Sequence, residues 1–153
     1  MKPALRVKDV ERITLRVPFT ERVRRWNALL VWQWQIVEII RVTTDDGSVG
    51  YGETLPHYTW GKVSDEAIER VRGSNPAELL GDDSLGAGLQ MAIYDVVGKA
   101  LEVPVHRLFN LSKVRDWCPI AWWNTKMSPE DLAGEAQDAV RDGYIFPKFK
   151  TRP

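Results

Sequence analysis

The chain has 153 residues, 44% of them hydrophobic, with 21 basic against 21 acidic side chains and a single cysteine, Cys118. That apolar fraction supports one domain of ordinary size and excludes disorder as the main state. A formal charge of zero argues against a dedicated nucleic-acid or membrane-surface binder, and one cysteine excludes a disulfide framework or a cysteine-built zinc cluster. No signal-type apolar segment opens the chain and no run approaches about 18 apolar residues, so a cytoplasmic protein without a membrane span is expected.

Strands come first. In Arg12-Ile13-Thr14-Leu15-Arg16-Val17 every second residue is apolar, the pattern of a half-buried strand. The stretch from Leu30 to Thr44 is rich in β-branched and aromatic residues, and read as one strand it puts Trp32, Trp34, Ile36, Ile40 and Val42 on one face. Asp45-Asp46-Gly47-Ser48 is a hairpin signal, and Val49–Thr54 is the returning strand. Its two glycines, Gly50 and Gly52, indicate a bulge or a close backbone approach.

The period then lengthens. Ser64 followed by Asp65 and Glu66 is an N-cap with an acidic first turn, opening a helix to about Arg72. Asn75-Pro76-Ala77-Glu78 repeats that logic with proline at the first helical position. The strongest helix runs from Leu85 to Leu101, with Leu85, Leu89, Ala92, Val96 and Ala100 at three-to-four spacing; Pro104 ends it and starts a short helix, Val105–Phe109. Trp117 to Trp123 reads as a strand buried on both faces, Ser128 caps a helix that ends at Gly143, and Tyr144–Lys150 is the next strand. Together these make one βαβ unit, the building block of a parallel sheet or barrel.

Several residues could carry chemistry. Lys148 and Lys150 are two apart on a strand, so both face one side of a sheet. If that side is a barrel interior, crowding and poor solvation favour a neutral amine, the form that can take a proton; the plainer alternative is an exposed edge guarded by lysines. Arg22, Arg24 and Arg25 precede Trp26 and suit an anionic ligand about as well as they suit an ordinary solvated loop. His57 sits in a loop with Tyr58 and Trp60, while His106 lacks a partner at metal-ligand spacing. Cys118, beside Trp117, reads as a small core residue.

In order, Ile39–Thr44, Asp46-Gly47, Gly50-Tyr51-Gly52-Glu53-Thr54, Gln90–Ala100, Val103-Pro104-Val105, Gly143-Tyr144 and Lys148-Phe149-Lys150 resemble the mandelate racemase and muconate lactonizing enzyme group of the enolase superfamily. The resemblance runs from about Val10 to Pro153. It implies an α+β fold: a three-stranded antiparallel sheet followed by helices, forming a capping domain over residues 1–113. Residues 114–153 then supply the first strand, helix and second strand of a TIM-type barrel that is incomplete here. It also implies that cap loops at Phe19–Trp26 and Leu55–Trp60 choose the substrate, which makes Arg22, Arg24, Arg25, Trp26, His57 and Tyr58 candidate substrate contacts.

By the same resemblance Lys150 is the base that moves the proton α to a carboxylate, and Lys148 assists electrostatically. A lysine or histidine base working with Mg²⁺ is the arrangement of that superfamily. Its three metal-binding carboxylates lie on later barrel strands, which would fall after Pro153, and a whole barrel needs about 250 residues. The expectation is therefore an N-terminal fragment of a Mg²⁺-dependent racemase, epimerase, cycloisomerase or acid-sugar dehydratase. It should be inactive alone, with no metal held by this chain. The expected partners are a carboxylate-bearing small molecule and further copies of the chain, with no nucleic acid and no membrane. The competing reading is a non-catalytic capping module kept for oligomerisation or partner binding.

Overall fold

The computed structural model describes residues 5–58 and 61–151. They form two compact units: Met1–Val17 with Gln33–Lys113, and Pro18–Trp32 with Val114–Pro153. No helix among the described residues is long and apolar enough to cross a membrane.

In the first unit, β1 (Val7–Arg16), β2 (Ile36–Thr44) and β3 (Val49–Thr54) form an antiparallel sheet in that order. β1 starts five residues before the strand that alternation marks. The reason is a register shift between Val7 and Asp9, which leaves Val7 and Val10, three apart, both buried and so breaks the period of two. Along β2 every second residue from Glu38 to Thr44 is buried, with Ile40 and Val42 fully enclosed. Trp32 and Trp34 do not continue this strand. They lie on a 3₁₀ turn, Trp32–Gln35, that leads into it. The β2–β3 turn closes on Asp46, whose Oδ1 accepts from the Ser48 N–H and the Thr44 hydroxyl, with Gly47 at φ 87°.

One helix, Asp65–Val71, is capped by Ser64, whose Oγ accepts from the Ala67 N–H. Asn75 caps a 3₁₀ turn at Pro76–Leu79 rather than a full helix, and Val105–Phe109 is likewise a 3₁₀ turn. A longer helix, Ala87–Ala100, covers the sheet. Its Leu89, Ala92, Ile93 and Val96 join Val10, Ile40 and Val42 in one core. The β2–β3 register runs unbroken through Gly50 and Gly52, so these glycines mark a close approach and not a bulge. A Cβ on Gly50 would sit 2.6 Å from the Val96 nitrogen, and one on Gly52 2.7 Å from the Ala92 nitrogen.

In the second unit, α1 is Glu21–Leu30, β4 is Trp122–Asn124, α4 is Pro129–Arg141 and β5 is Pro147–Phe149; the helices just described in the first unit are α2 and α3. Phe19–Trp26 is therefore largely helical rather than a loop. The signal for α1 is Glu21 in the first turn and Val23 and Asn27, four apart and both buried. β4 and β5 pair in parallel, Trp122 with Pro147, Trp123 with Lys148 and Asn124 with Phe149, and α4 connects them with Ser128 as its cap.

The apolar run before Trp122 is not a strand. A strand buried on both faces needs cover on both sides, and among the described residues β4 pairs with β5 alone. Trp117 is 87% and Ile120 76% exposed, and Cys118 is exposed too, which corrects its reading as a core residue. Amides of residues 114–121 are expected to exchange with solvent orders of magnitude faster than those of Leu89 and Ile93. Equal protection by hydrogen-exchange NMR would show that the segment is covered in solution.

Candidate functional site

Ligands of open and barrel-type α/β sheets bind at the carboxyl ends of the strands, so the ends of β4 and β5 are where chemistry is sought first. Lys148 lies within β5, opposite Trp123, and Lys150 is the first residue past the strand. Lys150 still belongs to the ladder, because its N–H donates to the Asn124 carbonyl at 3.2 Å. Both lysine side chains are exposed, so the crowded, poorly solvated setting that a barrel interior would give them is not supplied by the described residues.

Asn124, at the end of β4, is fully buried. Its side chain is held at both ends: Oδ1 accepts from Arg22 Nη1 at 2.7 Å, and Nδ2 donates to Glu135 Oε2 at 2.9 Å. The same Glu135 oxygen accepts from Arg22 Nη1 at 2.5 Å and from Trp122 Nε1 at 2.7 Å. The Arg22 guanidinium lies 4.2 Å over the Trp122 ring. Three donors on one carboxylate oxygen, with a stacked guanidinium, make a closed polar network beside the candidate base.

Arg25 lies 3.7 Å from Asp131 and 4.9 Å over the Trp26 ring, Trp26 Nε1 donates to Asp131 Oδ2 at 3.1 Å, and Arg24 pairs with Glu21. Each arginine of the cluster thus has a carboxylate partner within its own unit. A cleft of about 320 Å³ separates the two helices, lined by Arg22, Arg25 and Trp26 on α1 and by Asp131, Glu135 and Asp138 on α4.

His57 and Tyr58 belong to the first unit, just past β3. Tyr58 meets Trp34 edge-to-face with ring centroids 5.0 Å apart, and the Thr54 hydroxyl donates to the Gly61 carbonyl at 2.9 Å, tying the loop's two ends. Trp60 lies outside the described residues. Asn124, Glu135 and Trp122 are the site residues that sequence reasoning passed over. Asp131 and Glu135, four apart on one side of an amphipathic helix, are the trace they leave in the sequence.

Among the described residues no three His, Cys, Asp or Glu side chains converge as metal ligands, so the residues present do not fit a Mg²⁺ site. Magnesium requires near-octahedral oxygen coordination anchored on carboxylates. Titration calorimetry of this chain with MgCl₂ is expected to show no stoichiometric micromolar site, and a measured one would contradict the ligand geometry.

No protein-family model matches the chain. It is 25% identical over 132 residues to an N-succinyl-L-Arg/Lys racemase of Bacillus cereus and 29% identical over 137 residues to a D-xylonate dehydratase of Haloferax volcanii. These alignments take in 73% and 72% of this chain but 36% and 32% of the relatives, so the chain spans about a third of their length. Its fold matches 2-chloromuconate cycloisomerase from Rhodococcus opacus with a TM-score of 0.72 at 20% identity, covering 97% of this chain and 45% of the other. A magnesium complex of an enolase-superfamily member from Roseovarius nubinhibens matches at 0.71 and 20%, with the same coverage. The chain is thus similar in sequence to racemases, epimerases, dehydratases and cycloisomerases, and its fold matches part of the fold of enolase-superfamily structures.

Proposed function

We propose that this chain supplies the capping fold and the lysine base of an enzyme that abstracts a proton α to a carboxylate. Racemisation, epimerisation, cycloisomerisation and acid-sugar dehydration are the candidate outcomes. The observation that carries the reading is the placement of Lys150 at the carboxyl end of β5, its backbone bonded to Asn124 at the carboxyl end of β4. That end of a βαβ unit is where a parallel sheet presents reactive groups.

In this reading the Lys150 amine takes the proton from the carbon, and the Lys148 ammonium, two residues back, offsets negative charge that develops on the substrate. The substrate class is a carboxylate-bearing small molecule, with N-succinyl amino acids and sugar acids first, after the substrates for which the relatives are named. Metal binding is not assigned to this chain, since the described residues offer no site for it.

The test joins the chain to the remaining barrel strands, either its own downstream coding sequence or those of the cycloisomerase relative. Wash-in of solvent deuterium at the α-carbon is followed by NMR across N-succinyl amino acids, sugar acids and muconates. Deuterium incorporation into one class supports the reading; none across all three overturns it.

A further inference from the structure

We infer that Arg22 is a positioning residue that fixes the backbone of Lys150, through Asn124, and not a substrate contact. The inference begins with what Arg22 has left to offer. Its Nη1 is shared between Asn124 Oδ1 and Glu135 Oε2, its Nη2 reaches the Trp123 carbonyl at 3.3 Å, and one face of the guanidinium is stacked on Trp122. A substrate carboxylate would have to displace Glu135, whose side chain is only 11% exposed and holds two further donors. Stripping one partner from such a pair leaves a poorly solvated charge, so exchange of partners is unfavourable.

What Arg22 does hold is the end of β4. Asn124 is 0% exposed and its amide is bonded in both directions, the oxygen to Arg22 and the nitrogen to Glu135. With its side chain fixed, the Asn124 carbonyl is fixed as well, and that carbonyl takes the N–H of Lys150. Among the described residues this is the last rung of the β4–β5 ladder. The chain of contact runs from α1 through one guanidinium and one buried amide to the main chain of Lys150. A lysine in place of Arg22 could not repeat it, because an ammonium has a single nitrogen, whereas the guanidinium uses Nη1 for Asn124 and Glu135 and Nη2 for the Trp123 carbonyl while stacking on an indole.

Giving Lys150 a task rests on the proton-transfer reading above, but the coupling itself does not. The test uses the full chain, ¹⁵N-labelled, as wild type, Arg22→Lys, Glu135→Gln, the double variant, and Glu21→Gln as a control elsewhere on α1. Two signals are read: the exchange rate of the Lys150 amide and the resonance of the Trp122 indole N–H. Arg22→Lys and Glu135→Gln are each expected to speed Lys150 exchange by about ten-fold or more and to shift the indole signal, with Leu89 and Ile93 unchanged. The double variant should add little beyond the larger single effect, since both act through one network. Glu21→Gln should stay within about two-fold of wild type.

Lys150 exchange unchanged in both single variants would overturn the inference. So would a uniform rise across every amide of the second unit, which would make the network a general stabiliser. Glu135→Gln preserves shape and carries the test if Arg22→Lys does not fold. If Lys150→Ala later proves active while these exchange effects hold, the base assignment falls and the coupling stands.

Discussion

Lys150→Ala, in a protein carrying the remaining barrel strands, is expected to slow α-proton exchange of the carboxylate substrate by about 10²- to 10⁴-fold, the usual contribution of a positioned general base. Lys150→Arg should lose as much. An arginine keeps the positive charge and nearly the same reach, yet it does not give up its proton in proteins and so cannot accept one from carbon. The pair of variants therefore separates a base from a charge. Lys148→Ala should cost less, because in the proposed reading its part is electrostatic and its ammonium forms no bond to the moving proton. Single-turnover deuterium wash-in is the measurement, since it reports proton transfer before product release can mask it. Full activity in Lys150→Arg would turn Lys150 into a charge stabiliser, and full activity in Lys150→Ala would remove it from the mechanism.

Gly52→Ala is expected to destabilise the first unit by about 3 kcal/mol or more, at or beyond the upper end for overpacking a core. The added methyl would stand 2.7 Å from the Ala92 nitrogen, 2.9 Å from Met91 Cβ, and closer still to the Gly88 carbonyl oxygen. Two of these three are main-chain atoms of α3, so no side-chain rotation relieves the clash. The helix has to lift as a body, which opens the contact of Ile40 and Val42 with Leu89, Ala92 and Val96. Gly47→Ala is the contrast. A Cβ there meets nothing within 4 Å, and only its φ of 87° is unfavourable, at about 1–2 kcal/mol. Urea unfolding of both variants distinguishes them: a Gly52→Ala midpoint at or above that of Gly47→Ala would refute the packing argument.

Where the sequence was legible, a local rule and the tertiary environment agreed. Asp46-Gly47 between two β-branched runs marks a hairpin, and β3 spans the residues that signal brackets. The spacing of Leu89, Ala92 and Val96 marks a buried helical stripe, and all three are fully enclosed. Legibility failed where the two diverged. The bulge between Val7 and Asp9 hid half of β1 from a period-two reading, because it moves Val10 onto the face of Val7. The aromatic residues Trp32 and Trp34 satisfied β-propensity, yet they lie on the turn that carries the chain from α1 into β2.

The candidate site divides in the same way. The two lysines were visible because strand spacing alone puts them together. Arg22, Asn124 and Glu135 were not, since 102 residues separate Arg22 from Asn124 and only the fold brings them within 2.7 Å. An arginine cluster read from sequence says that positive charge is present. It does not say which guanidinium is already spent on a neighbour.

The glycine seam between β3 and α3 bears on how the loop after β3 could be re-engineered. Because strand and helix backbones touch there without side chains between them, β3 is a stem with almost no freedom to shift. The loop that leaves it carries His57 and Tyr58 at the surface, with Thr54 and Gly61 closing its base. A combinatorial library can therefore randomise positions 57 and 58 while the stem stays put, so differences among selected clones report on loop chemistry alone. Libraries that extend back into Gly50 or Gly52 would instead enrich for misfolded members, whatever they were selected to bind.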